Sequence, residues 1–242
     1  MKFNNSPISE AVLEIRFRKL DDSFLPTIEK IGKKLSDVYP QKRVINTGSF
    51  TFNVLKNPKL NSSKTFQLGY RYDSTDKLDV AQLKLDSITI SRLKPYLEWK
   101  DLKRKSKKII NLFLKEIKIE EFTRIGLRFI NKFEFNFPLD LDNFFNFQTN
   151  RPKILEPCEL VDFLLRFGYR EPNHNINANI IFTHNAIPKK SSTGILLDLD
   201  IINKKLISND SVKLWKEFDI ARDFADEIFF DIITDKTRNL LK

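Results

Sequence analysis

The sequence predicts an α+β fold built from two successive units, each reading strand, helix, several strands and a long helix. Three observations carry this. Residues 11–17 and 122–137 alternate apolar and polar with a period of two, as half-buried strands do. Apolar residues recur at helical spacing over 95–118 and again from about Asp210 onward. Between each opening strand and its long helix lie three or four short β-type runs divided by turn residues. The units 1–121 and 122–242 therefore share one order of elements. A duplication of this kind would give antiparallel or mixed sheets covered by helices. Nothing at 118–122 reads as a flexible linker, so residues 1–242 are expected to form a single compact body.

The elements follow in order. Ala11, Leu13, Ile15 and Phe17 share one face of the first strand, with Glu14 and Arg16 on the other. Asp21, Asp22 or Ser23 can cap a helix that runs to about Val38 through Leu25, Ile28, Ile31 and Leu35. Strands are expected at 49–55, 65–72, 79–85 and 87–93, with turn chemistry at 56–63 and 73–76. Pro95 sits where a first helical turn tolerates it, and Trp99, Leu102, Ile109, Phe113 and Ile117 trace one face beyond it. In the second unit, Ile125, Leu127, Phe129, Asn131, Phe133 and Phe135 line one side of the opening strand. A short helix at 140–147, strands near 158–170, 176–184 and 193–202, and a final helix beginning at Asp210 complete the series. Thr234 or Asp235 can cap a last short turn.

Composition narrows the function classes. Apolar residues make up 41% of the 242 and Phe alone supplies 22, which argues against disorder. No apolar run approaches the ~20 residues that cross a bilayer, and the first residues lack the apolar stretch of a signal peptide. A lone cysteine, Cys158, leaves no internal disulfide and no cysteine cage for zinc. The expected location is the cytoplasm, with no membrane partner. The net charge of +10 lies wholly in the first half: residues 1–121 carry 25 Lys and Arg against 15 Asp and Glu, and residues 122–242 carry 17 of each. Richness in Lys, Asn, Ile and Phe with six Ala also fits an AT-rich coding sequence, so basicity alone does not name a partner.

Motifs of known chemistry do not emerge. The six glycines are scattered, which excludes a Walker loop and a dinucleotide fingerprint, both of which need clustered Gly for backbone amides to approach phosphate. His174 and His184 stand ten apart without a ligand-spaced partner, and Cys158 at the start of a strand reads as a small buried hydrophobe. No cofactor, metal or catalytic residue is expected.

Three surfaces remain as candidates. Asp198 and Asp200 project from the same face of one strand and Arg124 and Arg128 from the same face of another. Together they form either a ligand or cation pocket or an ordinary cross-strand ion-pair set. Lys100, Lys103, Arg104, Lys105, Lys107 and Lys108 crowd one helix, either as a phosphate-tracking face for nucleic acid or as a solvated one. Trp215, Phe218, Phe224, Phe229 and Phe230 spread over more than one face of the last helix, marking deep burial or a protein-partner or homo-oligomer interface.

The order of several short segments resembles a family. Ser6-Pro7-Ile8-Ser9-Glu10-Ala11-Val12 with Glu14-Ile15-Arg16-Phe17 is similar to its opening, and Ala81-Gln82-Leu83 followed by Tyr96 and Trp99 to its middle. Arg124-Ile125-Gly126-Leu127-Arg128-Phe129-Ile130-Asn131 resembles its most distinctive strand. Asp198-Leu199-Asp200 with Phe229-Phe230-Asp231-Ile232-Ile233-Thr234-Asp235 resembles its C-terminus. The family is one of uncharacterised bacterial and archaeal proteins of similar length, sporadically distributed. The resemblance implies no activity, cofactor or catalytic residue. Its patchy distribution is similar to that of phage-defence genes. The expected function is therefore a non-catalytic recognition or partner-binding protein, an accessory component of a defence-type system. Nucleic-acid binding through the basic helix and a small-ligand or enzyme site at the Asp/Arg cluster stand as alternatives.

Overall fold

The computed structural model describes residues 3–53, 59–136, 140–147, 152–155, 158, 160–185 and 192–242. Its strands are β1 (Ile8–Arg16), β2 (Gln41–Asn53), β3 (Lys59–Asp73), β4 (Asp79–Lys84), β5 (Ser87–Leu93), β6 (Glu121–Phe122), β7 (Arg124–Asn136), β8 (Leu164–Glu171), β9 (Ile176–Asn185), β10 (Ser192–Asn203) and β11 (Ile207–Ser208). The α-helices are α1 (Leu25–Lys33), α2 (Trp99–Glu116), α3 (Ser211–Ile232) and α4 (Asp235–Leu241). Nine strands form one antiparallel sheet in the order β2-β3-β4-β5-β1-β7-β10-β9-β8, and β6 pairs with β11 in a separate ribbon. At the centre, β1 and β7 pair with Leu13 opposite Leu127. Each half's first strand pairs with its own last sheet strand, β1 with β5 and β7 with β10.

The period-two reading places one face correctly. Ala11, Leu13 and Ile15 of β1 and Ile125, Leu127 and Phe129 of β7 are buried against helices, while Arg16 and Arg128 are exposed on the other side. Helix α1 packs on β3 and β4, α2 on β5, and α3 on β7 and β10. Gly32 lets α1 approach, because a Cβ there would lie 1.9 Å from the ring of buried Tyr72. Gly69 serves β3 in the same way. Its φ is 156°, and a Cβ would meet the Leu83 carbonyl oxygen at 2.1 Å.

Several boundaries differ from expectation. Asp21 caps a 3₁₀ turn through the Ser23 amide, and α1 ends at Lys33 rather than near Val38. β2 and β3 are much longer than the runs expected at 49–55 and 65–72, because pairing with each other extends them through polar sequence. Part of the turn expected at 56–63 lies outside the described residues; Lys59 onward belongs to β3. Pro95 precedes α2 by four residues and follows a cis bond. The helix expected at 140–147 is a single 3₁₀ turn, Leu141–Asn143, after which Phe145 bridges to Ile233. β8 starts at Leu164, so Cys158 stands outside it and is exposed, not a buried hydrophobe.

Two hydrophobic clusters occupy the helical side. The larger gathers Leu13, Ile15, Phe113, Leu127, Trp215 and Phe218 beneath α1, α2 and the first half of α3. The smaller gathers Phe133, Phe145, Phe182, Leu197 and Ile233. Helix α3 is 22 residues long and crosses from one cluster to the other, and Ile228 packs against both. Among the described residues no helix is long and apolar enough to cross a membrane.

Candidate functional site

The sheet brings the Asp/Arg residues together through register. On β7 and β10, Asp200 stands opposite Arg128 and Asp198 opposite Ile130. Arg128 reaches diagonally to Asp198, with Nε donating to Oδ1 at 2.8 Å and Nη2 to Oδ2 at 2.5 Å. This is a forked, two-bond pair on an aspartate that is only 4% exposed. Arg124 does not join it: its guanidinium pairs with Glu14 of β1, which also accepts from Arg16 Nε at 3.0 Å. The reason is geometric, since β1 is the other neighbour of β7 and Glu14 faces Gly126 there. Asp200 makes no ion pair within 4 Å among the described residues. Burial pushes its carboxyl above the ordinary aspartate value, with Arg124 and Arg128 and a hydrogen bond from Asn179 opposing. A hollow of about 200 Å³ lies over these residues, floored by Gly126. The arrangement binds three inner strands to one another.

The basic helix divides. Lys103 Nζ contacts both Asp219 carboxylate oxygens at 2.6 Å, joining α2 to α3, and Trp99 Nε1 donates to the same Oδ1 at 3.0 Å. Arg104 pairs with Asp101, and Lys105 with Asp79 and Asp101. Lys107 lies 5.3 Å from the centre of the Trp215 ring. Lys100 and Lys108 are exposed. Lys103→Ala is expected to cost about 1 kcal/mol in urea unfolding, since it leaves Asp219 without its cation, whereas Lys100→Ala and Lys108→Ala should stay within about 0.5 kcal/mol.

The aromatic set on α3 divides between deep burial and a cavity wall. Trp215 and Phe218 are interior, 4% and 0% exposed, and pack on each other at 5.4 Å. Both belong to the larger hydrophobic cluster. Phe224 is half-buried against the larger cluster. The spread of apolar residues around α3 reflects its passage over two cores. Phe229 and Phe230, by contrast, reach a cavity.

That cavity, about 330 Å³, lies between α3, the segment 96–99, the chain start and the inner strands. Phe129 and Leu199 form its sheet side, Tyr96 and Trp99 one wall, and Phe229 and Phe230 another, with Phe3 and Pro7 at one end. Tyr96 meets Phe129 edge-on at 6.1 Å, and Phe3, Phe229 and Phe230 form a three-ring group at 5.4 to 6.4 Å. Polar groups share the lining with the rings: Ser6, Glu98, Asn131, Arg222 and Asp226. Asn131, 1% exposed, donates from Nδ2 to the carbonyls of Phe129 and Leu197. Asp226 accepts from Arg222 at 2.8 Å, and burial pushes its carboxyl above the ordinary value while Arg222 opposes. Sequence reading missed this site. A faint signal was present in Arg222 and Asp226, four apart on a helix face otherwise set by Phe218, Ala221 and Ala225.

Elsewhere, His174 pairs with Glu171 at 3.2 Å and His184 lies 3.5 Å from Asp162. Among the described residues no group of three or more His, Cys, Asp and Glu is arranged to hold a metal ion. Compared with known proteins, the chain matches no family model and no curated protein.

Proposed function

We propose that this is a non-catalytic recognition protein whose binding site is the aromatic cavity beside α3. One observation carries the reading: a hollow of about 330 Å³ walled by six aromatic residues, with a buried amide and a half-buried carboxylate set into it. Concave, mostly apolar sites with a few fixed polar groups are where proteins hold ligands. The inner strands supply a stiff floor, because Phe129 and Leu199 sit opposite each other in a fully paired sheet. The cross-strand pairs of Arg128 with Asp198 and Arg124 with Glu14 favour a supporting role for the charged cluster. The mirrored strand order about β1 and β7 favours origin by duplication, with the cavity lying beside α3, which is longer than its counterpart α2.

The test is a thermal-shift screen of small molecules against the intact chain and an Ala225→Leu variant, which narrows the cavity. Compounds should stabilise the wild type and lose that effect in the variant, whose fold is checked by circular dichroism. Stabilisation that is the same in both proteins would remove the cavity as the site.

A further inference from the structure

We infer that the solvent face of α2 binds the phosphate backbone of duplex DNA, independently of the cavity. Positions three or four apart share a helix face. From Lys100 to Lys115 the exposed residues of α2 are Lys100, Arg104, Lys108, Asn111 and Lys115. They form one line about 22 Å long at 1.5 Å of rise per residue. Four are cations, one is an amide, and none is a carboxylate.

Neighbouring helices widen the line into a platform. Lys34 and Glu116 join α1 to α2, and Lys103 and Asp219 join α2 to α3. Lys30 of α1 and Lys216 of α3 are exposed beside it. Among the described residues Lys30, Lys100, Lys107, Lys108, Lys115 and Lys216 have no carboxylate within 4 Å. The acids between them are engaged: Asp101 holds Arg104 and Lys105, and Glu29 holds Lys33 and Lys42. Glu217 accepts from Asn203 Nδ2.

The ends of the platform are acidic. Lys103 meets Asp219 while Lys107 stands over Trp215, so α2 and α3 run antiparallel. Exposed Asp223, Glu227 and Asp231 therefore lie beyond the start of α2, on the side of Glu98. Past Lys115, Glu120 pairs with Lys118 and Glu121 is exposed. Phosphate is repelled at both limits, which confines the footprint to the line from Lys100 to Lys115.

The partner follows from what accompanies the cations. Single strands are held by stacking bases on exposed rings, but Trp99, Phe113 and Trp215 pack into the core. A membrane-surface helix turns apolar residues to the lipid, and Leu112 and Leu114 also pack inward. RNA duplexes are read partly through 2′-hydroxyls, for which the line supplies only Asn111. Cations without base-reading groups suit the sequence-independent grip on duplex DNA.

Fluorescence anisotropy of a short labelled DNA duplex with the full-length protein tests this. Neutralising four phosphates gives a slope of about −3.6 in log K against log salt, or about a hundredfold weaker binding from about 50 to 200 mM. Lys108→Glu with Lys115→Glu should weaken binding at least about tenfold. Lys132→Glu with Arg166→Glu removes the same net charge from exposed positions on the sheet face away from the helices. That control should change affinity less than about twofold. Circular dichroism checks the fold of both variants. Equal loss in the two variants, or no binding at low salt, overturns the surface. Tighter binding of a single strand or an RNA duplex overturns the duplex-DNA assignment. Sedimentation with phosphatidylserine vesicles in place of DNA binding overturns it in favour of a membrane.

Discussion

Phe218→Ala is expected to lower unfolding free energy by about 4 kcal/mol, measured by urea denaturation, because truncating a fully buried Phe combines lost transfer energy with a cavity. Phe218 is 0% exposed and lies where α3, α2 and the sheet meet. Its ring contacts Trp215, whose far side carries Lys107. The hole would open beneath the crossing of two helices tied by Lys103 and Asp219, which limits collapse. Phe224→Ala, half-buried at the edge of the same cluster, should cost less than half as much. An interface residue would give the opposite pattern, with stability retained and association lost. A stability change below about 1 kcal/mol for Phe218→Ala would contradict its interior position.

Asp198 and Asp200 should respond oppositely to neutralisation. Asp198→Ala leaves Arg128 without its forked partner; breaking a buried pair costs about 3–5 kcal/mol. Because the Arg128 side chain is 46% exposed, water takes up part of its hydrogen bonding, and a loss of about 2 kcal/mol is expected. Asp200→Asn should instead raise the melting temperature at neutral pH. Its folded pKa lies above the unfolded one, so the native state binds more protons between the two values and stability falls as pH rises through that window. Removing the carboxylate removes that loss. The gain of the variant should vanish below the unfolded aspartate pKa, where the wild-type group is neutral in both states. Thermal melts of both variants across acidic and neutral pH check the signs. A stabilising Asp198→Ala or a destabilising Asp200→Asn at neutral pH would remove this account of the cluster.

The legible parts of the fold are those with local causes. Leu13 and Ile15 alternate with Glu14 and Arg16, and Asp210 caps α3 by accepting from the amides of Val212 and Lys213. Such signals need no knowledge of distant residues. The long pairing of β2 with β3 was not legible, since their polar stretches become strand through each other. Nor was the partner of Arg124, because period two gives a face and not which neighbouring strand supplies the acid. Glu14 and Asp200 were both compatible with it, and the placement of β1 beside β7 chose Glu14.

By itself the sequence determined the α+β class, the buried faces of β1 and β7 and the set of side chains available for chemistry. Only the tertiary structure decided what those side chains do. It sent Trp215 and Phe218 into the core while Phe229 and Phe230 line a cavity, and it committed Lys103 to Asp219. The physical reason is that secondary structure follows from contacts a few residues apart. The cavity, by contrast, is assembled from Phe3, Tyr96, Phe129, Leu199 and Asp226, which meet only when β1, β7 and β10 pair and α3 crosses them.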